Sequence, residues 1–189
     1  MKRTQKGLLL VLLGVVSLAG CMVRSVNPWL REQNLVFEED LLGGWVGTGE
    51  NEGVAMTFVT TKMNTYQIQY ADKETHGVFV GQLGKFGRDY FLDFRPADKA
   101  PNADGFLMFP AHSVARLELG RDTLIVRQLN YGAVKAAAKL DRLRGLRYAW
   151  DADDELILLS STEDLEQFIT GLGRDSDLYA PPIRLARKK

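Results

Sequence analysis

From Leu41 to Leu129 apolar and polar residues alternate with a period of two, broken at short intervals by turn residues. This is the signature of half-buried strands. Trp45–Glu50 and Val54–Thr61 read as the first two, the second rich in β-branched residues that suit a pleated surface. After the turn Lys62-Met63-Asn64, Thr65–Ala71 alternates cleanly, with Tyr66, Ile68 and Tyr70 on one face and Thr65, Gln67 and Gln69 on the other. Val78–Leu83 leads through Gly84-Lys85-Phe86-Gly87 into Tyr90–Arg95, where Tyr90, Leu92 and Phe94 share a face. The stretch Pro96–Gly105, rich in Pro, Asp and Asn, reads as a loop. Ser113–Leu119 and Thr123–Leu129, separated by Gly120-Arg121-Asp122, fit a hairpin.

The period then changes. Between Tyr131 and Arg144, Ala133, Ala136, Leu140 and Leu143 recur at helical spacing, with Lys135, Lys139 and Arg142 on an adjacent stripe and Gly145 as the stop. A strand, Glu155–Leu159, precedes a second helix. Ser161 or Thr162 caps it, Glu163 and Asp164 favour its positive end, and Leu165, Phe168 and Ile169 form its apolar face. Gly171 or Gly173 ends it. The pattern therefore predicts a mainly β fold with two or three short helices, an antiparallel barrel or strongly curved sheet. Residues 39–174 form its single globular domain, residues 21–38 a tether leading into it, and residues 175–189 a basic, solvated tail.

At Gly43-Gly44-Trp45 the chain resembles the lipocalin-like barrels, whose first strand opens with a G-x-W signature. The resemblance covers the span from about Leu42 to Leu129. It implies a barrel with Trp45 plugging one end.

The first 21 residues follow another logic. Lys2, Arg3 and Lys6 precede an uncharged stretch from Gly7 to Gly20 that ends in Leu18-Ala19-Gly20-Cys21. That stretch is shorter than the roughly 20 apolar residues a membrane-spanning helix needs, and it has the layout of an export signal. Its ending resembles the lipobox of bacterial lipoproteins. The resemblance implies removal of residues 1–20 by cleavage between Gly20 and Cys21, and acylation of the Cys21 sulfur. Two or more acyl chains hold a protein firmly to a bilayer, since each buried methylene contributes roughly 0.8 kcal/mol. In enteric lipoproteins an aspartate after the cysteine retains the protein at the inner membrane. Met22 stands there instead, which implies the outer membrane and a periplasmic domain.

Charge narrows the partners. The whole chain balances 24 Lys+Arg against 24 Asp+Glu, but four of the cations lie in Arg184–Lys189 and three in the signal. The body is thus acidic and lacks the basic field that nucleic-acid binding requires. Cys21 is the only cysteine, so no internal disulfide forms.

The residues offer little chemistry. His76 lies in a polar run that reads as a turn, and His112 opens a strand; both are expected to be solvated, since zinc sites need three or four ligands. Asp151, Asp153, Asp154 and Glu155 read as an acidic hairpin turn. No phosphate loop, dinucleotide fingerprint, nucleophile elbow or metalloprotease motif is complete, and the sequence calls for no cofactor. Aromatic residues on the strands are first of all core. If the barrel is hollow, Trp45, Tyr66, Tyr70 and Tyr90 are the candidates to line a pocket for a small apolar ligand. The sequence therefore predicts a non-catalytic, lipid-anchored envelope protein. It is either a module that docks another envelope protein, with Lys135, Lys139 and Arg142 exposed, or a lipocalin-like carrier.

Overall fold

A computed structural model describes residues 22–62, 64–97 and 111–189. Its strands in chain order are β1 (Arg24–Ser25), β2 (Leu35–Val36), β3 (Gly43–Gly47), β4 (Ala55–Lys62), β5 (Thr65–Ala71), β6 (His76–Phe86), β7 (Asp89–Pro96), β8 (Ser113–Leu119) and β9 (Thr123–Gln128). Then come α1 (Tyr131–Lys139), β10 (Tyr148–Trp150), β11 (Leu156–Leu158), α2 (Thr162–Gly171) and β12 (Ile183–Arg187). Residues 1–21, and with them Gly20 and Cys21, lie outside the described residues, as does most of the expected Pro96–Gly105 loop.

Strands β3 to β9 run up and down in sequence, and β12 closes them into an eight-stranded antiparallel barrel, the fold class the alternation predicts. Closure works because β12 pairs on both sides: Leu185 with Gly47 and Arg187 with Trp45 on β3, Ile183 with Val126 and Ala186 with Thr123 on β9. Without it, β3 and β9 would present unpaired edges. The expected basic tail is therefore corrected. Ile183 and Leu185 pack toward the barrel interior, and the cations around them hide a strand. On the opposite side β6 carries three partners. Its first half pairs with β5, its second with β7, and β2 takes the edge left free at Leu83 and Gly84.

Everything between β9 and β12 is an insertion packed on the outside of the barrel. It comprises both helices and the hairpin β10–β11, which β1 extends to a three-stranded sheet. Two hydrophobic cores follow from the pleat. Inward positions such as Phe58, Ile68, Leu83, Leu92, Leu117 and Leu124 fill the barrel. Outward positions Phe91 and Val114 are covered by Leu156, Leu158, Leu165, Ile169 and Val134 of the insertion.

The outer core also corrects the tether. Val23, Trp29 and Leu30 are buried in it, Trp29 completely. The backbone N–H of Trp29 donates to the buried Asp93 carboxylate at 2.8 Å. Glu166 of α2, also buried, accepts from the Arg31 backbone N–H, the Arg31 guanidinium and the Asn34 amide at 2.7–2.9 Å. Burial, the largest single influence, would raise the pKa of this carboxyl; the hydrogen bonds from Arg31 and Asn34 together outweigh it and hold the group below its ordinary value.

The helices depart from expectation in one respect. The α1 helix stops at Lys139, since Asp141 takes a positive φ of 53°, and it buries Tyr131, Val134 and Ala138; of the expected row Ala133, Ala136, Leu140 and Leu143, only Leu143, beyond the helix, is buried. Tyr131 fixes this rotation: its hydroxyl accepts the Leu156 N–H at 2.8 Å, which turns that face to β11 and leaves Leu140 61 % exposed. Asn130 caps the helix through the Ala133 N–H, and Ser161 caps α2 through the Asp164 N–H.

Candidate functional site: the barrel interior

The two ends of the barrel differ. At one end the chain before β3 folds across the opening. Trp45 is fully buried there, and its Nε1 donates to the carbonyl of Leu41, itself fully buried in the short turn of 3-10 helix Glu39–Leu41. The Arg187 guanidinium lies over the Trp45 ring, 4.3 Å from its centroid. It also donates to the carbonyls of Asp40, Leu42 and Arg121, so one side chain ties β12 to the entry turn and to the β8–β9 turn. Phe37 stacks on Tyr66 at 5.2 Å. Glu38 closes the remaining gap: its backbone N–H donates to the Tyr66 hydroxyl at 2.8 Å, and its carboxylate accepts from Tyr90 at 2.7 Å and Lys85 at 3.3 Å. Burial, then the Glu38 carboxylate, push the Tyr66 phenol up, against the pull of the hydrogen bond with the Glu38 backbone.

The other end is hollow. A cavity of about 170 Å³ lies behind it, walled by Met56, Ile68, Phe79, Leu92, Phe94 and Val126. Gly81 makes room for two of these walls: a Cβ there would come within 2.9 Å of Ile68 Cδ1 and 3.1 Å of Leu92 Cδ1. The rim is polar. Tyr70 donates to Asp72 Oδ2 at 2.7 Å, while Asp72 Oδ1 accepts the N–H groups of Glu74 and Thr75 and so fixes the β5–β6 turn. Burial first, then the Asp72 carboxylate, raise the Tyr70 phenol far above its ordinary value; it stays protonated and acts as a donor. The same phenol hydrogen bond leads the causes that lower the Asp72 carboxyl, followed by the two backbone N–H groups.

The four aromatic residues proposed as a pocket are thus divided. Tyr70 lines the cavity; Trp45, Tyr66 and Tyr90 belong to the closed end. Tyr66 and Tyr70 do share a face, as the alternation predicts, but four positions along a strand separate them by ~13 Å. Alternation reports the face and not the depth. The lining also holds Phe79, one of the aromatic residues read on the strands, and Met22, Ala115, Gln128 and Ile183, which the sequence reading missed. Phe79 and Ile183 carried a signal, an apolar residue at strand spacing. Met22 carried none.

Elsewhere, two expectations change. His112 is not simply solvated: its Nδ1 lies 2.8 Å from Asp93 Oδ1, and its backbone exchanges two hydrogen bonds with Ser25. The amino-terminal segment covers the barrel wall there and brings the pair under it. Lys135 and Lys139 do not form a free cationic stripe; both pair with Asp154, at 3.4 and 3.1 Å, and both lie over the Trp150 ring. The acidic run does form the β10–β11 turn, held by the N–H groups of Asp153 and Glu155 on Asp151 Oδ1. Among the described residues no three His, Cys, Asp or Glu side chains gather as metal ligands, and no helix is long and apolar enough to cross a membrane.

The barrel interior therefore offers an apolar chamber with one polar, hydrogen-bonding rim, an arrangement suited to holding an apolar group whose polar end remains at the mouth. Comparison of the chain with known protein families, with curated proteins and with solved structures gives no match.

Proposed function

We propose that this chain is a lipid-anchored envelope protein, attached through Cys21 to the outer membrane and facing the periplasm, whose barrel holds a small apolar ligand. The observation that carries the reading is the cavity of about 170 Å³ with apolar walls and a polar rim. A solidly packed interior, the ordinary state of an eight-stranded barrel, would have favoured a docking module. The volume bounds the ligand. Drug-sized ligands occupy ~300–1,000 Å³, whereas a dry apolar cavity of ~150 Å³ takes a benzene-sized group. The occupant is therefore a ring or the end of an aliphatic chain.

Met22 and Met56 both line the chamber, so their methyl groups report on it directly. Titration of the lipidated protein with octanoate is expected to shift both ¹³C-methyl resonances saturably. Ala115→Leu, which places three further carbons in the cavity, is expected to weaken binding at least tenfold. Shifts that do not saturate, or that persist unchanged in the Ala115→Leu protein, would sink the carrier reading.

A second reading is a docking module for another envelope protein. It is favoured by the large apolar side chains that the β9–β12 insertion leaves at the surface: Leu140, Trp150 and Leu159. A photo-crosslinker at position 150 in living cells should then capture one defined partner; a smear of abundant proteins counts against it.

A further inference from the structure

We propose that the open end of the barrel faces the bilayer in which Cys21 is anchored, and that the cavity takes the end of one aliphatic chain from a lipid of that bilayer. The inference rests on the lipid-anchored carrier reading and adds to it an orientation, a ligand class and a source. Its starting point is that Met22, a lining residue of the cavity, is the immediate neighbour of Cys21. One Cα step is ~3.8 Å. An acyl group carried by Cys21 would then start next to Met22, close to the mouth.

The position matters because the chain after it has no slack. The Val23 carbonyl accepts from Ser113 Oγ at 3.1 Å, Ser25 and His112 exchange backbone hydrogen bonds at 2.9 Å, and Val26 N–H donates to Leu158. Asn27 donates to the Ser160 carbonyl at 2.8 Å, and Trp29 is fully buried. Were residues 22–38 a flexible tether, the barrel would roam over an end-to-end distance of roughly 20–25 Å and present any face to the membrane. Docked, the segment fixes the anchor to one end of the barrel. The closed end, with Arg187, Glu38 and the β6–β7 turn, lies at the far ends of the same strands.

The rim decides how deep the mouth sits. Glu50 and Glu52 before β4, and Lys73 and Glu74 on the β5–β6 turn, are exposed. Charges are expensive in hydrocarbon, so the rim stays at headgroup level and does not insert. A chain reaching the cavity must rise out of the bilayer through that layer and enter past Thr75, Gln128 and the Tyr70–Asp72 pair. The cavity has room for about six groups of water size, ~30 Å³ each, which is the terminal part of one chain and not a whole lipid.

The test uses the full-length protein, lipidated in a bacterial envelope and reconstituted into phosphatidylcholine vesicles. Glu74→Cys on the mouth turn and Arg88→Cys on the β6–β7 turn each carry a fluorophore, and a nitroxide headgroup lipid is the quencher. Quenching at position 74 is expected to exceed that at position 88 at least threefold; equal or reversed quenching overturns the orientation. In the same vesicles a phosphatidylcholine with a diazirine near its acyl terminus is expected to crosslink to Ile68, Phe94 or Val126, several-fold less in Ala115→Leu. Crosslinks confined to other surfaces, or none in the cavity because the Cys21 acyl chain fills it, overturn the ligand assignment. Metabolic labelling with an alkynyl fatty acid separates the two layers of the argument. Label on the wild type that is lost in Cys21→Ser upholds the anchor whatever the quenching shows; label absent from the wild type removes the anchor and this proposal with it.

Discussion

Trp29→Ala measures whether the segment before the barrel is part of the fold. A tether residue could be truncated within ±0.5 kcal/mol, the range of surface substitutions away from special features. Trp29 is instead fully buried against the outer wall of the barrel and the insertion. A Trp side chain buries roughly 150–250 Å², which at ~25 cal/mol per Å² is about 4–6 kcal/mol. Its Nε1 makes no hydrogen bond, so packing alone accounts for the loss, and the backbone bond to Asp93 survives the substitution. Measured Trp→Ala costs of about 3–5 kcal/mol agree, and that is a large share of a domain stability of about 5–15 kcal/mol. For a chain of this length it lowers Tm by roughly 6–20 °C. The assay is urea unfolding followed by far-UV circular dichroism, since removing a tryptophan alters fluorescence for trivial reasons. The midpoint should fall with the slope m unchanged, and Trp29→Phe should recover more than half of the loss. An unfolding free energy within about 0.5 kcal/mol of wild type would refute the docked segment and the fixed orientation built on it.

Further expectations follow from other contacts. Deleting residues 183–189 opens the barrel and exposes the edges of β3 and β9; the protein should lose cooperative unfolding and aggregate, as read by size-exclusion chromatography and calorimetry. Arg187→Ala removes the cation over Trp45 and three hydrogen bonds to carbonyls, a cost of about 2–4 kcal/mol in chemical denaturation, whereas loss of a solvated tail charge would cost almost nothing. Ala115→Leu fills space and should leave stability unchanged or raise it by about 0.5–2 kcal/mol, read by chemical denaturation. Glu166 has a lowered pKa in the fold, so the unfolded chain binds its proton first; its stabilisation is present above the ordinary value of 4.5 and is lost as pH falls through the lower folded value. Glu166→Gln should flatten that acid limb of the stability profile.

Most strands of the barrel were legible because they bury one face only; β7 and β8, covered by the insertion, bury both. Thr65–Ala71 and Ser113–Leu119 match their predicted limits residue for residue; alternation is strict in the first, and the polar turn Gly120-Arg121-Asp122 ends the second. The β12 strand was not legible. Its inward residues Ile183 and Leu185 follow the same rule, but only five residues carry the pattern, and three cations within Arg184–Lys188 suggest a solvated end. What makes it a strand is topological: two edges separated by more than fifty residues of sequence need a common partner. Nothing local encodes that need. The α1 face failed for a related reason. Its small residues offer two nearly equal apolar rows, and the choice falls to a single tertiary contact, Tyr131 to Leu156.

The cavity shows where such reading stops. Composition along a strand gives the set of inward side chains, yet whether they meet at the axis depends on the level at which each strand crosses its neighbours. Tyr66 and Tyr70 are alike in sequence and both point inward, but one is locked to Glu38 at the plugged end and the other guards the open one. The difference is made by the chain before β3, which supplies Phe37, Glu38 and Leu41 to one end only. The same stretch of chain begins with Met22 at the other end. Residues 22–42 thus set the polarity of the barrel twice, by plugging one opening with Phe37, Glu38 and Leu41 and by placing Met22 at the other. A segment read as a tether is what makes the two ends of the barrel different.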